Sequence, residues 1–151
     1  MELPKPKIVL ATGAFDLLHY GHLSFLEEAR KAGGKGARLV VIVARDSVVR
    51  KRKGKNPVVP ENQRTALIQA LRIVDRAILG FDEIDIERVI TDLKPDVVAF
   101  GHDQTDLKEK VEEIAHRKKL PLKIFQASKF SSDDIDSSSQ IKKRILENAQ
   151  T

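Results

Sequence analysis

The sequence predicts an α/β domain built as a doubly wound parallel sheet with helices on both faces. Three observations carry this. Short apolar runs alternate along the chain with stretches whose apolar residues recur at helical spacing. The run Leu39-Val40-Val41-Ile42-Val43 is continuously apolar, as in a strand covered on both faces. No internal repeat and no linker interrupts the alternation, so the 151 residues (1–151) read as one domain with its own core.

In chain order, residues 8–11 form a buried strand. Residues 22–32 form a helix with Phe25, Leu26 and Ala29 inward, ended by Gly33-Gly34. Residues 38–44 form the next strand. The basic stretch 50–57, Arg-Lys-Arg-Lys-Gly-Lys-Asn-Pro, reads as a loop, and Pro60 opens a helix with Leu67, Ile68 and Leu71 on one side. Residues 77–79 form a short strand. Ile86, Val89, Ile90 and Leu93 fall at i, i+3, i+4 and i+7 of a helix that Pro95 stops. Residues 97–100 form a strand. Asp106 and Glu109 have the spacing of a capping pair for a helix carrying Leu107, Val111, Ile114 and Ala115. Residues 122–125 form the last strand and 128–139 a polar loop. Ser137 and Gln140 have capping-box spacing for a final helix with Ile141, Ile145 and Leu146.

Composition narrows the function. Hydrophobic residues make up 41% and charged residues 32%, as in an ordinary globular chain, and no apolar run approaches a membrane span. No cysteine is present, which excludes disulfides and thiol chemistry and fits a cytoplasmic protein. The net charge of +5 raises nucleic acid as a partner. The basic residues form no single stripe, however, and no aromatics interleave with the cluster Arg45 and 50–55 to stack bases. A small anionic substrate accounts for that cluster equally well, so neither a nucleic acid nor a membrane is expected as partner.

The chemistry concentrates in Gly13-Ala14-Phe15-Asp16-Leu17-Leu18-His19-Tyr20-Gly21-His22. A strand points into it and a helix leaves it. Three readings fit two histidines three apart at such a junction: satisfied structural residues, metal ligands, or donors to a phosphate beside unpaired N–H groups at a helix start. The histidines His102 and His116 lie far off in sequence. Asp103 reads either as a turn cap or as an acceptor for ribose hydroxyls. Ser137-Ser138-Ser139 reads either as a polar cap or as a second anion site. The basic stretch reads either as solvated surface or as a lid over the strand ends.

Gly13-x-Phe15-Asp16-x-x-His19-x-Gly21-His22 resembles the signature of the HxGH nucleotidyltransferases, the cytidylyltransferase-like family. Counterparts to Asp46, the basic stretch, Pro60-Glu61-x-x-Arg64, Arg72-Ile73-Val74-Asp75, Gly101-x-Asp103-Gln104 and Ser137-Ser138-Ser139-x-Ile141 follow in order. The whole is most similar to archaeal FAD synthases, then to glycerol-3-phosphate cytidylyltransferase and the ADP-heptose-forming nucleotidyl domain. The resemblance implies a Rossmann-like fold and transfer of a nucleotidyl group to a phosphomonoester with release of pyrophosphate. It implies ATP or CTP with a phosphorylated small molecule, FMN first among them, Mg²⁺ or another divalent cation carried with the nucleotide, and a homodimer. A non-enzymatic nucleotide-binding module is the alternative from another class.

The resemblance further implies catalytic roles for His19, His22, Lys51 and Lys53, with Lys55 a further candidate. It implies nucleotide contacts from Ala14, Phe15, His19, Tyr20, Gly21, His22, Asp103, Ser137, Ser138 and Ser139, and acceptor contacts from Asp16, Arg64 and Arg72. Phe15, Tyr20 and Phe130 are the aromatic candidates for a flavin slot. The chain departs from the pattern at Ala14, where Thr is usual. It has Asp133, Asp134 and Asp136 where an arginine often precedes the serines, and it lacks C-terminal cysteines.

Overall fold

Apolar strands need cover on both sides, and the chain supplies it by returning through a helix after nearly every strand. The computed structural model describes residues 2–81, 85–132 and 134–151. The strands are β1 (Ile8–Gly13), β2 (Arg38–Val43), β3 (Arg76–Leu79), β4 (Val97–Phe100) and β5 (Lys123–Gln126). The helices are α1 (Tyr20–Ala32), α2 (Asp46–Lys53), α3 (Glu61–Gln69), α4 (Ile86–Leu93), α5 (Thr105–Lys118) and α6 (Ser138–Ala149).

All pairings are parallel, in the order β3-β2-β1-β4-β5. β1 is central: Val9 pairs Leu39 on one side and Val97 on the other. Its side chains alternate between two cores. Val9 and Ala11 pack with Leu26 and Ala29 of α1 and Ile68 of α3. Leu10 packs on the opposite face with Ile86, Val89 and Ile90 of α4 and Leu107, Val111 and Ile114 of α5. The chain winds outward from β1 through β2 to β3, then crosses back to β4. Strand order therefore reverses between β1 and β4, and a crevice opens beyond their carboxyl ends. The loops after β1 and β4 flank it, because β1 and β4 are neighbours.

Three local expectations fail. Arg50 to Lys53 belong to α2, which Gly54 ends in the left-handed conformation at φ 76°. Only Val48 and Val49 of α2 are buried, and so short an apolar signal disappears among four consecutive cations. Those cations lie in the last turn, where the carbonyl end of the helix favours positive charge. Asp106 and Glu109 do not cap α5, because the helix begins at Thr105 after Gln104. Leu67, Ile145 and Leu146 are exposed, and α6 buries none of its residues.

Candidate active site

The loop from Gly13 to His22 is shaped by contacts that its own residues make. Phe15 and Leu17 both adopt positive φ, at 53° and 49°, a conformation costly for residues with a Cβ. The compensation is burial: Phe15 is 4% exposed and folds back over Gly13. A Cβ at Gly13 would lie 2.8 Å from the Phe15 ring. Gly21 is equally constrained, since a Cβ there would lie 2.8 Å from the His19 ring. Glycine at both positions follows from space.

The two histidines cap α1. The Gly21 N–H donates to His19 Nδ1 at 3.1 Å, and the His19 N–H donates to His22 Nδ1 at 3.3 Å. A nitrogen that accepts carries no proton, so each neutral ring holds its proton on Nε2. The rings stack with centroids 3.8 Å apart, and the edge of Phe15 meets His22 at 5.5 Å. With each Nδ1 tied to a backbone N–H, each neutral ring keeps Nε2–H as its donor. The backbone of this helix start contributes less than expected. Its Gly21 N–H is taken by the cap, and its His22 N–H donates to His19 O at 3.1 Å.

Burial pulls the His22 pKa down to about 4, with further lowering from His19 and Lys53. His19 is lowered too, first by burial, with Asp136 opposing. At neutral pH the site thus holds two uncharged imidazoles. The linkage has a definite sign. The unfolded chain protonates His22 near pH 6.5 and the folded chain only near 4. Stability from this source is complete above pH 6.5 and is lost as pH falls toward 4. Urea melts at pH 7 and pH 5 are expected to show a loss on the order of 2 kcal/mol that His22→Asn removes. Equal pH dependence in both proteins would refute the assignment.

The histidines open onto a cavity of about 500 Å³ at the carboxyl ends of the strands. Ala14, Phe15, Asp16, His19, Gly21, His22, Lys53, Asp103, Ser137, Ser138 and Ser139 all line it. At α6, Ser137 Oγ accepts from the Gln140 N–H at 3.3 Å, as the spacing predicts. The Gln140 side chain instead accepts from the Asp136 N–H at 2.8 Å. Ser138 Oγ donates to the Asp16 carbonyl at 2.6 Å, which joins the α6 start to the histidine loop. Across the crevice, Gln104 accepts from the Gly101 N–H at 2.7 Å and donates to Thr12 Oγ1 at 3.2 Å.

Five expected or candidate contact residues do not line this cavity, exposed Lys55 after α2 among them. Arg64 is fully buried and holds the walls together. It donates to Val59 O at 2.8 Å, Ala14 O at 2.5 Å, Ala44 O at 2.8 Å and Asp46 Oδ1 at 2.6 Å. Its five donors in a planar fork explain why arginine occupies the position. Arg72 is exposed and precedes β3, at the amino end of the sheet and away from the crevice. Lys51 is exposed on α2, two residues and so more than half a turn round from Lys53. Tyr20 is 61% exposed, pairs edge-on with Phe130 at 5.4 Å, and lines a neighbouring groove. Asp16 does line the cavity but is 6% exposed, with its carboxylate accepting from the Val58 and Val59 N–H groups at 2.8 and 2.9 Å. That pairing anchors the segment after α2 and leaves little of the carboxylate for an acceptor.

The structure adds lining residues that the sequence reading missed. Arg52 stands beside Lys53, and Thr12 and Asp136 contribute polar groups. Asp133 of the acidic stretch lies outside the described residues. An apolar wall comes from Ile42, Val48, Val49, Phe81, Ile86 and Val89. Thr12 and Ile42 stand at the ends of recognised strands, a position that itself points toward the crevice. Phe81 had no such signal.

The fold and site define a doubly wound α/β domain with a His-x-Gly-His loop at its topological switch point. Residues 10–144 match the cytidylyltransferase-like family, and the chain belongs to it. It is 46% identical over 141 residues to the FAD synthase of Methanopyrus kandleri, covering 93% of each chain. It is 44% identical to the FAD synthase of Methanothermobacter thermautotrophicus, covering 92% of this chain and 91% of that one. A crystal structure of the lipopolysaccharide core biosynthesis protein from Thermoplasma volcanium is similar at TM-score 0.73 and 40% identity, over 83% of this chain and 98% of that chain.

Proposed function

We propose that the chain is an FMN adenylyltransferase, forming FAD and pyrophosphate from ATP and FMN. The observation that carries the acceptor is identity above 40% to FAD synthases over nine-tenths of both chains. The cavity supports the reaction class. A phosphate oxygen of FMN attacks the α-phosphorus of ATP, the bond from that phosphorus to the bridging oxygen breaks, and pyrophosphate leaves. The attacking oxygen is already ionised, so no general base is required.

The protein's work is alignment and charge stabilisation. His19 and His22 offer two Nε2–H donors, with their Nδ1 atoms tied to backbone. Lys53 and Arg52 bring positive charge to the same cavity. The N–H groups of Ser138 and Ser139, at the start of α6, supply a second anion-binding end. Among the described residues no group of three His or acidic side chains converges as a metal cage. Mg²⁺ carried with the nucleotide and held chiefly by the triphosphate oxygens would neutralise phosphate charge there. The homodimer and the cytoplasmic setting expected above belong to this reading. Among the described residues no helix is long and apolar enough to cross a membrane.

The lipopolysaccharide core biosynthesis protein it resembles favours a second reading, a sugar-phosphate acceptor. One competition experiment separates the two. ATP or CTP is supplied with FMN, glycerol 3-phosphate and a heptose 1-phosphate together, and products are identified by mass. FAD is expected to dominate. ADP-heptose or CDP-glycerol without FAD rejects the flavin reading and keeps the nucleotidyltransferase. No pyrophosphate with any acceptor leaves the nucleotide-binding module.

A further inference from the structure

We infer that Phe81 is the platform on which the isoalloxazine ring of the acceptor stacks, and that Arg88 holds it there. The inference rests on the FMN-adenylylating reading above and names the acceptor's subsite within the same cavity.

The lining falls into two wings, one from the β4–β5 side of the central strand β1 and one from the β2–β3 side. One is polar, with Asp103, Gln104, Ser128 and the α6 serines. Ribose hydroxyls and the hydrogen-bonding edge of a base find partners there. The other wing is walled mainly by Ile42, Val48, Val49, Ile86 and Val89, with Arg52, Lys53 and Asp85 as its charged members, and Phe81 stands in it. An adenine edge finds fewer hydrogen-bond partners there than beside Asp103, Gln104 and the serines. A larger ring with an apolar dimethylbenzene end fits it better.

Phe81 itself is 44% exposed, unusual for a large aromatic that lines a cavity. Its backbone is pinned from the preceding residue. The Gly80 N–H donates to Val43 O at 2.9 Å, and Gly80 O accepts from Arg45 Nε at 2.6 Å. The Arg88 guanidinium lies over the ring, 5.0 Å from its centroid. Arg88 does not line the cavity, so it braces the ring from outside. A half-exposed ring, fixed at its backbone and covered on one face by a cation, retains aromatic surface for a flat ligand.

The test uses the full chain. Phe81→Ala is expected to raise KM for FMN roughly tenfold while leaving KM for ATP unchanged. Phe81→Leu, which keeps bulk but not the aromatic face, should be intermediate. Phe81→Trp should keep a near-normal KM for FMN and quench the fluorescence of bound FMN, because indole donates an electron to an excited flavin in contact with it. That variant also keeps the inference falsifiable if the alanine variant does not fold. An unchanged KM for FMN in Phe81→Ala, a raised KM for ATP instead, or unquenched FMN bound to Phe81→Trp would each overturn the platform while wild-type FAD formation left the proposed function standing. A wild-type protein that makes no FAD removes both.

Discussion

His22→Ala is expected to lower kcat by roughly 10²–10³-fold, the usual cost of removing one fixed donor from a site of developing charge. The geometry makes His22 the sharper of the two histidines to test. It is the more buried ring, its Nδ1 is occupied by the His19 N–H, and its Nε2–H is the group left for a phosphate oxygen. Charge grows on the α-phosphoryl oxygens and on departing pyrophosphate, and only a donor already aimed there stabilises it without reorganisation. The same substitution removes one half of the α1 cap, so a stability loss of about 1 kcal/mol is expected alongside. Single-turnover measurements well below the melting temperature, with ATP affinity measured separately, keep the two effects apart. A folded His22→Ala protein that turns over at the wild-type rate would show that the imidazole only caps the helix.

Arg64→Ala is expected to destabilise the protein by roughly 3–5 kcal/mol, the largest stability effect among the residues of the site. The guanidinium is fully buried, and its removal leaves the carbonyls of Ala14, Ala44 and Val59 without their partner. Asp46, which is 35% exposed, recovers part of its loss from water. Arg64→Lys keeps the charge but has no fork, so it should recover only a part. Chemical denaturation measures the loss directly. If Arg64 instead gripped the acceptor, Arg64→Ala would raise the acceptor KM with little change in stability.

The sheet and its site were legible for different reasons. Apolar runs such as Leu39 to Val43 carry their own instruction, because a strand covered on both faces tolerates no polar side. The histidine loop was legible because its geometry is local. Gly13, Phe15, His19, Gly21 and His22 meet one another within ten residues, so spacing alone constrains how they fold. The Ser137 cap was legible on the same ground. Lys51 and Lys53 were not separable, because that requires knowing that α2 is helical, and its two buried valines give too weak a period to read.

Sequence by itself determined the parallel sheet and the junction that carries the histidines, while the class of reaction came from the likeness to the HxGH nucleotidyltransferases. The tertiary structure decided which charged groups face the crevice. Arg64 and Arg72 are both motif arginines, yet one is sealed beneath the walls and the other lies at the far end of the sheet. The structure likewise brought Phe81 to the cavity by pairing β3 with β2 and packing α4 behind it. The physical reason is the range of the interactions. Capping, turns and periodicity act over a few residues and leave a trace in the order of the chain. Burial and desolvation depend on segments tens of residues apart meeting in space, and no local pattern records which side chain they will cover.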